Sequence, residues 1–400
     1  MQKVVRNAGD VRQFARRSAF CILHSAFTGL GRAKTGGLMS PRPDEIVARL
    51  LRFVAIKSLS RDEGAMTDAV QAELHAAGIA TRRAGHNVIA EIGDRERPRL
   101  LLNSHLDTVP PAAGWSADPW TPRREGDRII ALGANDAKGC VTAMLSATIA
   151  LKQRLDAGGS LGGTVVLALT VEEEITGGGL SEVIGTIQPI DAGLVGEPTD
   201  LQPMTAQRGL LILRCVARGR TSHPANTPAD TPNNAIQVAA VDLVALRTFD
   251  WGPAHPLLGR AHGHVTKIAG GVVLNVIPDE CEFFIDIRTT PMESHDETIA
   301  RVQAALRSEV LVRSKRLAAM STDDAQPIVQ AAVRALPGTT PGGSPAMSDM
   351  VFLAGTPAVK IGPGHSPRSH TPDEYIREDE LLAGASAYER IALEYFASFA

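Results

Sequence analysis

The sequence predicts an α/β protein, in which a mixed, mainly parallel sheet is flanked by helices and carries an inserted ferredoxin-like α+β domain. The chain has 400 residues, more than one hydrophobic core usually contains, so two domains are expected. Short apolar runs alternate with helical patterns near both ends of the chain, which is typical of a sheet covered on both faces. The segment between them follows a βαββαβ order, which indicates a ferredoxin-like fold.

The first part of the larger domain contains three predicted helices. One begins at Pro43, because apolar residues recur at helical spacing as far as Val54. The others span residues 67–77, ending before Gly78, and residues 140–155. The apolar runs outside these helices predict strands at residues 87–92, 100–109, 129–132, 165–171 and 193–195.

The pattern changes at about Arg208, where the inserted domain is predicted to begin and to continue through residue 316. Its predicted elements are a strand at 210–217, a helix at 233–246, strands at 264–268 and 281–287, a helix at 296–310 and a strand at 311–316. The first pattern then resumes with a helix from Ile328, a strand at 358–361 and a helix from Glu378. Residues 39–207 and 317–400 are therefore assigned to one domain, and residues 208–316 to the domain inserted in it.

The first 38 residues differ from the rest, because they carry seven basic residues and one acidic residue. We expect Met39 to be the true start, and residues 1–38 to be a mis-assigned or disordered extension. An organellar or export signal is the alternative, although no small-x-small cleavage site follows the apolar stretch after Arg17.

Composition and charge restrict the class of partner. A formal net charge of −3 argues against nucleic acid, and no apolar run reaches the roughly 18 residues of a membrane helix. The four cysteines have no CxxC spacing, so buried thiols in a reducing compartment are expected. These features predict a cytoplasmic protein without a nucleic-acid or membrane partner.

The first candidate segment for a functional site contains His105 and Asp107, at the end of a predicted strand. Residues two apart on a strand point the same way, so these two side chains share a face. A metal-binding imidazole usually needs a carboxylate on its other nitrogen, which fixes the tautomer. His105 as a ligand and Asp107 as its partner meet this need, whereas a histidine in a surface turn is the alternative.

Acidic residues stand out in two further segments. Asp136, directly before the helix at Cys140, offers two oxygens that can bridge two cations, and a helix N-cap is its alternative role. Glu172, Glu173 and Glu174 leave a predicted strand, and three adjacent carboxylates in an extended chain repel one another unless cations neutralise them. Because neighbours there point opposite ways, one can bind metal while the next faces a substrate water. A solvated acidic loop is the alternative.

Two more segments follow predicted strands and complete a set of oxygen and nitrogen ligands. They contain Glu197, in the sequence GEPT, and His370, in the sequence SHTPDE. Each residue alone is more often a surface residue. Since α/β sheets place their sites at strand ends, the five segments together predict one metal-dependent site.

The order and separation of these segments resemble those of a known family of metallohydrolases. HLDTVP, the aspartate before AKG, the EEE run, GEPT and SHTPDE are similar to motifs of the two-zinc amidohydrolases. That family includes acetylornithine deacetylase, succinyl-diaminopimelate desuccinylase, aminoacylases and bacterial glutamate carboxypeptidases. The resemblance covers the chain from about Pro43 onward and is nearest to compact acetylornithine deacetylases. It implies a zinc-exopeptidase-like larger domain and an inserted domain that serves as a dimerisation and lid domain.

The resemblance also implies a metal centre. Two Zn²⁺ ions per subunit are expected, for which Co²⁺ can substitute. Asp136 would bridge the two ions. One ion would be bound by His105 and Glu197, and the other by Glu174 and His370.

Two further roles in the centre come from the same resemblance. Glu173 would be the general base, and Asp107 would orient His105. The peptide after Asp136 is expected to be cis. The chain departs from the family pattern in two places, where Asp-Glu-Glu becomes EEE and where Ala-Leu-Gly replaces Gly-Arg-Gly ahead of the bridging aspartate. Neither departure removes a ligand.

In the inserted domain, the resemblance implies residues that face the substrate. His223 would reach the active site of a partner subunit and polarise the scissile carbonyl. Arg288 and Asn275 would hold the substrate α-carboxylate, a group that a guanidinium fork suits. A surface histidine and a sheet-surface salt bridge are the alternatives for His223 and Arg288. The further candidates for substrate binding are Arg208, Gly343 and Ser344.

The expected activity is metal-dependent hydrolysis of an N-acyl amino acid by a homodimer formed through residues 208–316. The expected substrate is N-acetyl-L-ornithine of arginine biosynthesis. The alternative substrates are N-succinyl-ornithine, N-acetyl-citrulline, succinyl-diaminopimelate and carrier-linked lysine or ornithine. The alternative activity is that of a metallo-dipeptidase, carboxypeptidase or aminoacylase of the same family. A binding protein that kept the fold without the chemistry is disfavoured, because Glu173 and all five ligands are present. A serine hydrolase is disfavoured because no G-x-S-x-G segment occurs.

Overall fold

The computed structural model describes residues 42–175, 177–231 and 233–400. The N-terminal extension predicted at residues 1–38, which includes Cys21, lies outside the described residues. The other three cysteines, Cys140, Cys215 and Cys281, are buried free thiols. None of the described helices is long and apolar enough to span a membrane.

The regular elements of the described residues are as follows. The α-helices are α1 (Pro43–Val54), α2 (Gly64–Ala76), α3 (Lys138–Asp156), α4 (Gly178–Val183), α5 (Ala235–Arg247), α6 (His295–Ala305), α7 (Pro327–Ala335) and α8 (Glu378–Ala397). The strands are β1 (Thr81–Ala84), β2 (Asn87–Gly93), β3 (Arg99–His105), β4 (Arg123–Glu125), β5 (Arg128–Ile130), β6 (Thr164–Thr170), β7 (Ala192–Val195), β8 (Met204–Gln207), β9 (Gly209–Arg218), β10 (His262–Gly270), β11 (Glu280–Thr289), β12 (Glu309–Leu317), β13 (Met320–Ser321), β14 (Gly342–Ser344), β15 (Ala358–Lys360) and β16 (Tyr375–Arg377).

The larger sheet has the strand order β1-β2-β6-β3-β7-β15-β8-β13, and β14 pairs with β8 beside it. Strands β6, β3, β7 and β15 are consecutive and parallel. All seven residues of β6 are buried, because helices cover both faces of the sheet. One core includes side chains from α1, α2, α3, α7 and α8, and the core on the opposite face includes side chains from α4. This arrangement confirms the predicted α/β fold class.

The second sheet is antiparallel and has the order β10-β11-β9-β12. Together with α5 and α6, its elements follow the chain order βαββαβ, as predicted for a ferredoxin-like unit. Alternate residues of β11 are buried, so one face of the sheet packs against the two helices. Phe283, Ile285 and Val302 lie in this core. The domain limits 208–316 and the role in dimerisation remain predictions.

Two predicted strands differ from those observed. The strand expected at residues 100–109 ends at His105, and the following residues turn away, with the amide of Thr108 donating to the carbonyl oxygen of Ser58. The run at residues 129–132 contributes to β5, which lies in a separate sheet with β4 and β16. An apolar run indicates a strand, but its pairing partner depends on residues that are distant in the sequence.

One predicted helix is also too long. The helix expected at residues 296–310 ends at Ala305. The carboxylate of Asp242 accepts the amide protons of Arg307 and Ser308, which fixes a non-helical turn there. The chain then pairs with β9 as strand β12. A long-range hydrogen bond therefore ends a helix that apolar spacing alone would extend.

Candidate metal centre

The predicted metal-binding residues lie at the edge of the larger sheet where four parallel strands end. His105 is the last residue of β3, and Glu174 lies in the turn after β6. Glu197 lies just after β7, and His370 lies on the loop after β15. Asp136 comes from the turn that leads into α3. Parallel strands expose their carboxyl ends at one edge, so the sheet brings together side chains that are far apart in the sequence.

Asp136 lies between the two histidines. The Nε2 atom of His105 is 3.2 Å from Oδ1 of Asp136 and 3.9 Å from Oε1 of Glu197. The Nε2 atom of His370 is 3.0 Å from Oε1 of Glu174 and 3.7 Å from Oδ2 of Asp136. The two oxygens of one carboxylate thus face two groups of donors, as a bridging ligand requires.

The donor set fits metal cations. His105, Asp136 and Glu174 place ligand atoms within 4.8 Å of one another, and so do His105, Glu173 and Glu197. Imidazole nitrogens and carboxylate oxygens are ligands that Zn²⁺ accepts in proteins. The chain therefore presents candidate groups for metal binding at this edge of the sheet.

The electrostatics of the cluster also favour cations. Burial, and then the neighbouring Asp136, raises the pKa of Glu197 to about 8. Burial, and then Glu197, raises the pKa of Glu173 well above its usual range. Buried carboxylates in such proximity repel one another in their charged forms. Positive charge placed among them would relieve this repulsion.

Asp107 connects the end of β3 to the turn after β6. Its carboxylate is fully buried and accepts the amide protons of Glu173 and Glu174, each at 3.1 Å. It also accepts the hydroxyl proton of Ser60 at 2.7 Å. The Nδ1 atom of His105 is 3.1 Å from the carbonyl oxygen of Asp107 and 3.4 Å from its carboxylate. Asp107 therefore holds both a candidate ligand and the backbone of the acidic run.

The acidic run is not extended, contrary to the sequence-based interpretation. Glu172 has a φ of 57°, and Glu173 and Glu174 lie in a turn. The amide of Glu172 donates to Glu63, and Asp107 accepts the next two amide protons. The buried carboxylates of Glu63 and Asp107 therefore fix the conformation of the turn. The side chains of the acidic run point in different directions because the chain turns, and not because they alternate along a strand.

Glu374 belongs to the site although the sequence reasoning gave it no role. Its buried carboxylate accepts the amide protons of Asn135 and Asp136, at 2.8 and 2.9 Å. The Asn135 side chain in turn bonds to His365 and to the hydroxyl of Ser369, which ties the loop of Asp136 to the loop of His370. The peptide after Asp136 is cis, as the resemblance implies. The position of Glu374 in the SHTPDE segment, which also contains His370, is the sequence feature that could have indicated a role for it.

A cavity of about 630 Å³ opens beside the cluster. Asp136, Glu173, Glu174, Glu197 and His370 line one side of it. The other residues that line it include Met204, Ser344, Ala346 and Lys360. A small molecule in this cavity would therefore contact the candidate metal-binding residues directly.

The predicted substrate-binding residues are placed less uniformly. Of those in the described chain, Ser344 lines the cavity, and Gly343 packs against the backbone of Leu257. The guanidinium of Arg208 donates to the carbonyl oxygens of three residues, Leu258, Arg260 and Arg288.

The remaining predicted substrate residues lie on the inserted unit. Arg288 forms an ion pair with Asp286 at 2.8 Å. His223 and Asn275 are exposed. Arg208, His223, Asn275 and Arg288 are absent from the described residues that line the cavity. Their proposed contact with substrate therefore requires a partner subunit or a movement of this unit.

The fold and the site together define a metal-dependent hydrolase. Residues 101–394 match the model of a family described as Peptidase family M20/M25/M40, and the chain belongs to this family. It is therefore an amidohydrolase or peptidase of that family.

Curated relatives align over most of the chain. N-acetyl-L-citrulline deacetylase of Xanthomonas campestris is 27% identical over 353 residues, covering 82% of this chain and 91% of that protein. Acetylornithine deacetylase of Myxococcus xanthus is 28% identical, and succinyl-diaminopimelate desuccinylase of Novosphingobium aromaticivorans is 29% identical, each covering 86% of this chain and 96% of the relative. An aminopeptidase from Bacillus cereus has the same fold, with a TM-score of 0.72 at 19% identity over 90% of this chain and 100% of its own.

The contacts of Asp107 lead to a testable prediction. Asp107→Asn replaces one acceptor oxygen by an N–H donor, which would then face the protons that the carboxylate accepts. We expect zinc affinity to fall by about 10- to 100-fold. Calorimetric titration of Zn²⁺ into the chelator-treated protein measures this change. Ser60→Ala removes one hydrogen bond to the same carboxylate and should have a smaller effect. Unchanged affinity in Asp107→Asn would contradict the prediction.

Proposed function

We propose that this protein hydrolyses the amide bond of an N-acyl amino acid, and that its preferred substrate is N-acetyl-L-ornithine, which yields L-ornithine and acetate for arginine biosynthesis. The observation that carries the proposal is the cluster of two histidines and three carboxylates, which lies beside Glu173 and next to a cavity in a chain of this family. The names of the acetylornithine and acetylcitrulline deacetylases among its relatives support the choice of substrate. The buried free thiols support a cytoplasmic location.

The proposed cofactor is a pair of Zn²⁺ ions, for which Co²⁺ can substitute. Asp136 is proposed to bridge the ions, His105 and Glu197 to bind one, and Glu174 and His370 the other. The distances of 3.0 to 3.9 Å between ligand atoms of these side chains support the assignment. A structural relative from Bacillus subtilis, described as a dinuclear metal-binding peptidase, supports the number of ions. When bound, the ions would polarise the amide carbonyl and lower the pKa of water.

Glu173 is proposed to be the general base and acid. It accepts a proton from the attacking water and later donates that proton to the leaving amine. Its side chain lines the cavity together with four of the candidate ligands, which supports this role. Burial raises the pKa of Glu173, and nearby cations would lower it again, so that the group starts as a carboxylate.

The protein is proposed to act as a homodimer formed through residues 208–316. The inserted unit exposes large apolar side chains on α5, on β10 and on the turn after β10: Ile236, Val244, Ile268, Val272 and Leu274. Association of two subunits through this surface would remove the apolar area from water. In such a dimer, His223 is proposed to polarise the scissile carbonyl in the partner's site, and Arg288 and Asn275 to hold the substrate α-carboxylate.

A substrate panel tests the proposal. We expect chelation to abolish hydrolysis and added Zn²⁺ or Co²⁺ to restore it, because the ions are proposed to polarise the amide carbonyl and to lower the pKa of the attacking water. The largest kcat/KM is expected for N-acetyl-L-ornithine, relative to N-acetyl-L-citrulline, N-succinyl-L-ornithine and N-succinyl-diaminopimelate. Comparable values on all four would contradict the assignment to one substrate, and hydrolysis that persists in chelator would contradict metal dependence.

The role of Glu173 predicts a separation of metal content from turnover. Glu173→Gln keeps the size of the side chain but removes the proton acceptor, so kcat should fall by about 10²- to 10⁴-fold. Metal content, measured by mass spectrometry, should remain that of the wild type. Glu172→Gln is the matched control and should retain turnover. Loss of metal in Glu173→Gln would mean that the base and ligand roles are misassigned.

The proposed dimer predicts complementation between two inactive variants. Mixing His223→Ala with Glu173→Gln subunits would yield dimers in which one site combines an intact Glu173 with an intact partner His223. Such a mixture should recover about one quarter of wild-type activity, since about half of the dimers are mixed and each has one complete site. Activity after subunit exchange measures this, and the separate variants are the controls. No recovery, despite exchange, would show that His223 does not act across the interface.

A further inference from the structure

One buried cation lies in the wall of the cavity and has no role in the proposed metal centre. Lys360 is the last residue of β15, between β7 and β8 in the larger sheet, and is 4% exposed. It lines the cavity together with Glu197, Ser344 and Ala346. Its place in the sheet therefore directs a positively charged side chain to the space that a substrate would occupy.

The ammonium group of Lys360 is incompletely paired within the described part of the chain. It donates one hydrogen bond, to the carbonyl oxygen of Ala346 at 3.2 Å, and it forms no ion pair. An ammonium has three N–H donors, and a buried charge without a counter-ion is unfavourable. Glu197, whose carboxylate interacts electrostatically with Lys360, is proposed to be neutralised by a metal ion. A negatively charged ligand in the cavity would complete the pairing.

The other buried lysine of the described residues, Lys138, has a structural role that differs from the role of Lys360. Lys138 donates to the carbonyl oxygens of Phe53 and Ile56, at 3.2 and 2.6 Å, and does not line the cavity. Both of these hydrogen bonds hold the backbone at the end of α1 and do not face a ligand site. Lys360 makes one such bond and lines the cavity, so its remaining donors are available to a ligand.

The charges of the other residues that line the cavity also favour a negatively charged ligand. Apart from His365 and His370, Lys360 is the only basic residue among the described residues that line it. The acidic residues there, other than the exposed Asp200, belong to the proposed metal centre and its base. Once cations offset the charge of those carboxylates, the cavity retains a fixed positive charge at Lys360. Such a charge favours an anion and disfavours a cationic group at the same position.

We propose that Lys360 is an anion-binding residue of this pocket, in addition to Arg288 and Asn275 of the proposed dimer, and that it pairs with a carboxylate of the substrate. The inference rests on the proposed hydrolysis of N-acyl amino acids and names the group on the substrate that is recognised. Two carboxylates of such substrates have the required chemistry: the α-carboxylate of the amino acid, and the distal carboxylate of a dicarboxylic acyl group such as succinyl. A hydrogen-bonded ion pair shielded from water contributes to binding in the ground state and the transition state alike, so Lys360 acts mainly on KM.

The test compares Lys360→Met with the wild type on acids and their neutral analogues. The substrates are N-acetyl-L-ornithine, its α-carboxamide, N-succinyl-L-ornithine and its α-carboxamide. Lys360→Met should raise KM by about 10- to 100-fold for substrates that carry the recognised carboxylate, with kcat changed less than about 3-fold. Loss on both acids but on neither carboxamide identifies the α-carboxylate. Loss on the two succinyl compounds alone identifies the distal carboxylate.

Matched variants distinguish charge recognition from support of the backbone. Lys360→Arg keeps the charge and should retain part of the discrimination between acid and carboxamide. Lys152→Met removes a lysine on α3 that pairs with Asp156 and should leave all four KM values unchanged. Equal loss on acids and carboxamides in Lys360→Met, together with a lower melting temperature, would mean that Lys360 only holds the segment at Ala346. That result, or no loss on any substrate, would overturn the proposal.

A binding measurement separates failure of this inference from failure of the proposed function. Succinate is titrated into the metal-loaded protein, with succinamide as the neutral control. Succinate should bind the wild type, and its dissociation constant should rise by about 10- to 100-fold in Lys360→Met. If the wild type hydrolyses none of the substrates but this dependence holds, the proposed function fails and the anion site stands. If hydrolysis occurs but succinate affinity and KM do not depend on Lys360, the inference fails alone.

Discussion

Mutual repulsion among buried carboxylates is the constraint on which the rest of this structure depends. Parallel strands bring the largely buried side chains of Glu174 and Glu197 to one edge of the sheet, and the turn before α3 adds that of Asp136. Burial strengthens the repulsion, because little water screens the charges. His105 and His370 contact these oxygens, but two imidazoles offset only part of the charge. The fold therefore favours the binding of cations at this edge. An ion that binds only the folded chain would stabilise the folded state.

Carboxylates that are not candidate ligands hold the loops of the site in place. Glu63, Asp107 and Glu374 are each buried and accept backbone amide protons from the segments that carry Glu174 and Asp136. These hydrogen bonds give the amides partners that regular secondary structure does not supply there, so each turn becomes well defined. The candidate ligands thus depend on a surrounding layer of acidic side chains whose partners are peptide groups.

Reaction class and substrate choice depend on different parts of the molecule. Family membership accounts for metal-dependent hydrolysis, yet relatives at 27% to 29% identity carry the names of enzymes for three different substrates. The proposed metal-binding residues would not distinguish those substrates, because they would face the scissile amide that all of them share. Residues beyond that cluster, such as Ser344 and Lys360 on the cavity wall, are the candidates for discrimination. Arg208 donates to carbonyl oxygens of Arg260 and Arg288, so its guanidinium is engaged within the inserted domain.

The sequence by itself determined the fold class, the ferredoxin-like order and the five segments of the candidate site, because apolar periodicity and residue type are local properties. Only the tertiary structure decided that Ile129 and Ile130 join a separate sheet and that Asp242 ends the helix at Ala305. It also decided that Asp107 binds the backbone of the acidic run and that Glu374 binds the backbone of the turn before α3. The position of Lys360 on the cavity wall likewise follows from the tertiary structure. These features depend on hydrogen bonds and burial between distant residues. A single lysine or glutamate has the same appearance in the sequence whether it is solvated or enclosed.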